Sequence, residues 1–154
     1  MKCSNCGKAD LIRDVVPLAV TVAGIEFATE LPGRRCPTCG YSTVNGPAAV
    51  RFELLVAAEL VKRGIRGGAS FKFMRKALGM KATEIAQAFN VAPETISRWE
   101  NDQREVDWPE FMVLGFLVDD KLAGRTTTLT RLKALAEPGE EAQEGRVTIP
   151  YQAA

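Results

Sequence analysis

The sequence predicts an α+β protein in which a small β-hairpin unit precedes an all-helical region. Two observations lead to this class. The segment VVPLAVTVAGIEFATEL at residues 15–31 reads as two half-buried strands around Ala23-Gly24, with apolar and polar side chains alternating in the second. From residue 70, apolar side chains recur three and four positions apart in several short runs, which is the spacing of amphipathic helices.

The composition is that of a soluble globular protein with one ordinary domain or two small ones. The chain has 154 residues, of which 46% are hydrophobic and 25% are charged. It has no apolar run of about 18 residues or more, so we expect no membrane span. Ser4, Asn5, Lys8 and Asp10 interrupt any apolar core of a signal peptide, and we therefore expect a cytoplasmic location.

Histidine is absent from the chain. Its absence removes the commonest general base near neutral pH and the commonest nitrogen ligand for metals. It also removes the catalytic schemes in which histidine activates a serine or a cysteine. We therefore predict that the protein is not an enzyme.

The four cysteines form two Cys-x-x-Cys pairs, and glycine follows each pair directly. Such a turn places two thiolates on one side of a tight loop, and the glycine permits a positive φ that lets backbone N–H groups approach sulfur. Two turns of this kind can close one tetrahedral four-sulfur site. The predicted metal ligands are Cys3, Cys6, Cys36 and Cys39.

Zinc is the metal that this site favours. A reducing cytosol argues against disulfides, and zinc binds thiolates there without a redox partner. Because cysteine fills all four positions, no position stays open for water or substrate, so we expect one structural zinc ion per chain. Iron of the rubredoxin type uses very similar turns and remains an alternative, as does a redox or disulfide role of the cysteines.

A hairpin between two such turns is the arrangement of a zinc ribbon. A unit of about 45 residues has too little core to stand alone, and zinc can supply on the order of 10 kcal/mol of folding free energy to it. A helix follows, with Asn45 as its N-cap, Pro47 in its first turn and Gly64 at its end. We assign residues 1–64 to a zinc-binding domain with a trailing helix, and the glycine-rich residues 65–69 to a linker. The predicted apolar face of this helix consists of Val50, Leu54, Ala57 and Val61.

Residues 70–136 are predicted to form a helical domain of five short helices. The first ends at Gly79 and has one apolar face, formed by Phe71, Met74 and Leu78. The fourth and fifth correspond to residues 107–120 and 127–136. The fifth has one apolar side, formed by Leu129, Leu132 and Leu135.

The second and third of these helices are joined by a turn of three to four residues, which is the arrangement of a helix-turn-helix motif. We expect Asn90 to take the left-handed conformation in the turn. Ile96 and Trp99 are predicted to face the core, so the opposite side of the third helix faces outward.

The stretch TEIAQAFNVAPETISRWEN at residues 83–101 resembles the Xre-type helix-turn-helix signature of lambda-repressor-like domains, and the likeness runs from about residue 70 to 135. The cysteine pairs resemble those of the YgiT-type zinc finger. The two together resemble the layout of the MqsA-family antitoxins. This resemblance implies a homodimer that binds double-stranded DNA at a palindromic operator and represses its own operon. It also implies that the zinc domain binds and neutralises a toxin.

Four positions depart from the family patterns. Lys81 and Ala92 stand where a Ser or Thr usually caps a helix, and Asp102 stands where glycine is frequent. Glu94 stands where the MqsA pattern has asparagine near the start of the recognition helix. Because a carboxylate only accepts hydrogen bonds, we expect the operator to differ from those of better-known members.

The outward side of the third helix gives the candidate DNA contacts. Arg98 matches the family position that reads bases, and guanine is the natural partner of an arginine that donates two hydrogen bonds; pairing with Glu94 is its alternative role. Asp102 also lies among the outward positions. The resemblance further implies a buried ion pair between Arg75 and Glu100. Glu94 is a candidate contact to the amino group of cytosine, and Thr95 and Ser97 are candidate contacts to base or phosphate. The candidate phosphate contacts are Lys81, Asn101, Gln103 and Arg104.

Charge is distributed unevenly along the chain. The stretch from Glu59 to Glu84 has no acid between its ends but seven basic residues, which indicates a phosphate-facing surface or a solvated helix face. The tail at 137–154 is acidic and contains RVTIPY at 146–151, which can add a strand. Besides the antitoxin and autorepressor, we consider a regulator that acts without a toxin and, from another class, an electron carrier with a four-cysteine iron site.

Overall fold

A computed structural model describes residues 1–137, in which a three-stranded antiparallel sheet is followed by six helices. The predicted α+β class, with five helices after the glycine-rich stretch, is confirmed. The acidic tail and its predicted strand at 146–151 lie outside the described residues. The elements are β1 (Ile12–Val22), β2 (Ile25–Arg35), β3 (Ser42–Val44), α1 (Gly46–Lys62), α2 (Gly68–Ala77), α3 (Ala82–Ala88), α4 (Pro93–Glu100), α5 (Trp108–Leu122) and α6 (Thr127–Ala136).

The predicted hairpin is formed by β1 and β2, which pair in register along their full length. Ala23 and Gly24 have φ values of 51° and 77°, so both central residues of the two-residue turn are left-handed, as a tight hairpin of this twist requires. The strand β3 adds to the other edge of β2. A Cβ on Gly33 would lie 2.3 Å from the carbonyl oxygen of Thr43, so only glycine lets β3 approach β2 this closely.

Helix α1 begins and ends where the sequence predicts. The Asn45 side chain accepts a hydrogen bond from the Ala48 N–H at 3.4 Å, and Gly64 is left-handed with φ 64°. The buried face is wider than predicted and is rotated away from Val50, which is 49% exposed. The buried residues of α1 are Phe52, Leu54, Val56, Ala57 and Leu60.

Helix α1 packs into the same hydrophobic core as α2, α3, α4 and α5. Its closest approach to α5 is at Gly115, where a Cβ would lie 2.9 Å from the Val61 side chain. Val22 of β1 is buried in this core, and Phe27 and Leu31 of β2 pack against it, so the sheet rests on the helices. The residues that join α1 to α2 are 63–67, and the domain boundary at 65–69 stays a prediction.

The centre of the helical part is aromatic. The Phe71 and Trp99 ring centroids lie 5.4 Å apart in an edge-on arrangement, and Phe89 packs edge-on against Phe71. The predicted inward positions on α2 and α4 are buried, Ile96 among them. The apolar side of α6 is covered only in part, since none of its residues is fully buried and Leu135 is 84% exposed.

Candidate metal centre and nucleic-acid interface

All four predicted ligands come together at one end of the sheet. Their sulfur atoms lie within 4.8 Å of one another. Cys3 and Cys39 are separated by 3.7 Å between their Sγ atoms, and Cys6 and Cys36 by 3.6 Å. A tetrahedral site with metal–sulfur bonds of about 2.3 Å would place its sulfurs about 3.8 Å apart. The spacing therefore fits a metal ion bound by four thiolates.

The same type of backbone hydrogen bond closes the turn of each cysteine pair. The N–H of Gly7 donates to the Cys3 carbonyl at 2.8 Å, and that of Gly40 donates to the Cys36 carbonyl at 3.0 Å. Both glycines are left-handed, with φ values of 66° and 73°. A side chain there would be strained, so the glycine after each pair is required by the turn itself. Local hydrogen bonds therefore contribute to the shape of both turns.

The Cys39 thiol is the one most readily ionised. The backbone N–H of Tyr41 and then the Asn5 side chain, whose Nδ2 lies 3.6 Å from Sγ, lower the pKa of Cys39 to about 6. Donors that point at a sulfur favour its thiolate. One ligand is therefore ready to bind a cation at neutral pH.

The pKa of the Cys6 thiol shifts in the opposite direction, upward. The Lys8 N–H is the largest single influence and lowers its pKa, but burial and the other three sulfurs outweigh it and raise the pKa of Cys6 to about 11. Four thiolates this close repel one another unless a cation neutralises them. The donor set is thus one that a thiophilic metal ion completes.

Helices α3 and α4 are two short helices joined by the four residues 89–92. Asn90 is left-handed with φ 53°, and the N–H of Val91 donates to the Ala86 carbonyl at 3.0 Å, which closes α3. On α4, Ile96 and Trp99 are buried. Neither Lys81 nor Ala92 supplies a side-chain acceptor at its helix start. Glu84 compensates at α3 by accepting the Lys81 N–H at 2.7 Å.

Most of the sequence-predicted DNA contacts are exposed on α4 or beside it. Glu94, Ser97 and Arg98 are exposed and Thr95 is half-buried. Within residues 1–137, no carboxylate lies within 4 Å of the Arg98 guanidinium, so the alternative pairing with Glu94 is not formed. The outer surface of α4 therefore offers an unpaired cation.

The four predicted phosphate contacts flank α4 on both sides in the chain, and all are exposed. Lys81 precedes α3, and the other three follow α4. The Asn101 side chain donates to the Ser97 carbonyl at 2.8 Å and so closes the end of α4. Arg104 lies 3.5 Å from Asp107. Gln103 is the remaining predicted phosphate contact.

The predicted buried ion pair between Arg75 and Glu100 is confirmed. Both side chains are nearly buried, at 11% and 9% exposed, and two guanidinium nitrogens meet the two carboxylate oxygens at 2.5 and 3.1 Å. A third nitrogen donates to the Met80 carbonyl at 2.7 Å. This network joins α2 to α4 and satisfies both charges, as a buried pair requires.

The basic stretch is less available than its sequence indicates. Lys62 and Arg63 both pair with Glu59, at 3.7 and 2.7 Å. Arg66 pairs with Glu105, and Arg75 with Glu100. In the part of the chain that the structure describes, the basic residues of this stretch with no carboxylate within 4 Å are Lys72, Lys76 and Lys81.

The sequence predicts that Asp102 is exposed but does not indicate the contact that it makes. Asp102 is exposed, as predicted, but its carboxylate accepts a hydrogen bond from the Gly68 N–H at 2.7 Å, at the start of α2. The residue is left-handed, with φ 54°, where the family often has glycine. Aspartate tolerates this conformation better than most residues, which was the available signal. Its partner lies 34 positions away, and no local pattern indicates it.

Comparison with known proteins gives one family. The model described as the antitoxin component of a bacterial toxin-antitoxin system, MqsA, matches residues 1–120. The matched region contains all four cysteines, helices α1 to α4 and most of α5. No curated protein matches the chain. Among the helices of residues 1–137, none is long and apolar enough to cross a membrane.

Proposed function

Because the chain belongs to the MqsA family of antitoxins, the antitoxin components of bacterial toxin-antitoxin systems, we propose that it is a sequence-specific DNA-binding repressor that regulates its own operon. In this proposal one half of the molecule binds a toxin and the other reads the operator. The observation that carries the DNA-binding half is the exposed outer face of α4. Arg98 lies there without a carboxylate partner among residues 1–137, while Ile96 and Trp99 on the inner face are buried in the core.

The proposed reading of bases follows from the chemistry of that face. A recognition helix enters the major groove with its N-terminal residues against the base edges. Arg98 would donate two hydrogen bonds to guanine, and Glu94 would accept from the amino group of cytosine. A homodimer would place two copies of α4 about 34 Å apart on a palindromic operator.

The proposed phosphate contacts lie on either side of α4. Lys81 stands before α3, whereas Asn101, Gln103 and Arg104 follow α4, so the two groups would reach the backbone at opposite edges of the groove. Thr95 and Ser97 would donate short hydrogen bonds to base or phosphate. The Lys81 ammonium would attract the phosphate backbone.

The metal we propose is one structural zinc ion per chain, held by the four cysteines. Zinc bound by four thiolates supplies folding free energy and no catalysis, since no coordination position is left open. It would tie the N-terminal turn to the loop between β2 and β3 and so fix the end of the sheet. Iron in the same site is the outcome that elemental analysis would reveal.

The cysteine end of the sheet is the surface we propose for the toxin. Ile12 and Val15, at the start of β1, are 54% and 56% exposed, and Tyr41 next to the second cysteine turn is also exposed. Apolar side chains beside a rigid sheet favour a protein partner over solvent. Arg13 and Arg34, at paired positions, would add charge to the face of the sheet that carries Val15, whereas Ile12 lies on the opposite face.

Two experiments test these proposals separately. Sequencing of the DNA recovered with the purified protein should give one palindromic site, and its absence would remove the repressor function. Co-expression with the small proteins encoded beside the gene should give a complex and rescue growth. If none of them binds, the protein is a regulator that acts without a toxin.

A further inference from the structure

Two carboxylates lie in residues 101–105, the part of the loop after α4 that carries three of the proposed phosphate contacts. Asp102 and Glu105 flank Gln103 and Arg104. The third carboxylate of the loop, Asp107, lies 3.5 Å from Arg104. A free carboxylate beside a DNA backbone repels it, because like charges at a few ångströms in a poorly screened interface disfavour binding. The loop therefore needs a partner for each acid.

The first acid is satisfied by the start of α2. The Asp102 carboxylate accepts the Gly68 N–H at 2.7 Å, where the first N–H groups of a helix have no partner within the helix. A Cβ on Gly68 would lie 2.4 Å from the Trp99 carbonyl oxygen and 2.8 Å from Asp102 Oδ1. Only glycine lets the two segments meet this closely, so sequence and geometry both favour the contact.

The second acid is satisfied by an arginine from the join between α1 and α2. The Arg66 guanidinium pairs with Glu105, and its central carbon lies 5.8 Å from the centroid of the Trp108 ring. The Arg66 side chain is 30% exposed, whereas that of Glu105 is 77% exposed. The arginine is thus packed against the protein, and its charge is directed at the loop rather than at solvent.

We infer that Asp102 is a positioning residue for DNA binding, which holds the loop of residues 101–105 on the start of α2. Arg66 serves to neutralise Glu105 and not to contact a phosphate. Four segments meet here: the join, the start of α2, the end of α4 and the start of α5. The inference rests on the proposed function, because it assigns the loop to the DNA backbone.

A double-mutant cycle distinguishes neutralisation from direct phosphate contact. R66A, E105A and the double variant R66A/E105A are compared in full-length protein by measuring Kd for the recovered operator at several salt concentrations. We expect R66A to weaken binding about two- to fivefold, the range of an exposed ion pair, and the double variant to return within about twofold of the wild type. If Arg66 contacts a phosphate, the double variant stays as weak as R66A and its salt slope falls by about one.

Three variants of Asp102 test the other contact. D102N keeps an acceptor and tolerates the left-handed conformation, D102G removes only the acceptor, and D102A adds backbone strain. We expect amide hydrogen exchange at Gly68 to accelerate about tenfold or more in D102G and to stay near the wild type in D102N. Operator affinity should likewise fall in D102G and stay near the wild-type value in D102N.

A measurement without DNA separates failure of this inference from failure of the proposed function. Backbone order parameters of residues 101–105 should fall in D102G relative to the wild type, with a normal Arg75–Glu100 region as the internal control. Unchanged order and unchanged Gly68 exchange would overturn the inference even if the wild type binds its operator. Loss of order together with no DNA binding by the wild type would overturn only the functional part.

Discussion

The two ends of the molecule are held together by different means. At the cysteine end, one small buried cluster is formed by Cys3, Leu11 and Cys36, and two of its three members are proposed metal ligands. At the helical end, five helices share one core built around Phe71 and Trp99. We therefore expect the stability of the first end to depend on metal coordination and that of the second on burial of apolar surface.

Removal of the metal is the largest expected effect. Chelation, or Cys36→Ser, should unfold the two cysteine turns and free the start of the sheet, since a structural zinc site is worth on the order of 10 kcal/mol of folding free energy. The helices should remain, because their core contains none of the four cysteines. Hydrogen exchange of residues 1–45 against 68–122 checks this, with metal content measured in parallel.

A result that contradicts this comparison is cooperative loss of the helices with the metal. The control is the chelated wild type with zinc restored, which should regain its protection. Visible absorption and iron by elemental analysis would replace zinc with iron in the same site.

Truncation of the central tryptophan is the next largest effect. Trp99 is 1% exposed, and its replacement by alanine should cost about 3–5 kcal/mol in the free energy of unfolding. Urea denaturation measures this loss. The helical signal should fall while the metal content stays at its wild-type value. Metal loss in this variant would show that the two ends do not fold independently.

The neighbouring Arg98→Ala is the matched surface variant. It should leave the unfolding free energy within about 0.5 kcal/mol of the wild type, as for exposed positions outside special contacts. It should weaken operator binding by about 1–3 kcal/mol, because one base contact is lost. Titration of labelled operator provides the measurement, and an unchanged footprint would refute the role of Arg98.

The smallest expected effect concerns α6 and acid. The Asp120 carboxylate accepts the Thr128 N–H at 2.8 Å and meets Arg125 at 3.2 Å, and these contacts, the Thr128 N–H foremost, hold the pKa of Asp120 below its usual range. The stabilisation of the folded state by these contacts is present above the ordinary pKa of aspartate and is lost as pH falls through the lowered pKa of Asp120. Protection of α6 amides measured against pH should show this loss, and Asp120→Asn should show a flatter profile.

Local features were predictable because their causes lie within a few residues. Asn45 caps α1 through a side chain three positions before its donor, and Asn90 takes the left-handed conformation that a short turn demands. The inward direction of Ile96 and Trp99 follows from helical periodicity alone. The pair formed by Arg75 and Glu100 came instead from the family resemblance, since spacing does not indicate a contact across 25 positions.

The sequence by itself determined the two cysteine turns, the hairpin and the short turn between α3 and α4, because period, turn chemistry and ligand spacing are all local properties. Only the tertiary structure decided that α1 shares the helical core, and that Asp102 and Glu105 reach Gly68 and Arg66, 34 and 39 positions earlier. Such contacts depend on how whole helices pack. The apolar residues of α1 are spread widely around the helix, so their pattern does not show which side is buried. Val50 was predicted to lie on the buried side, but it is 49% exposed.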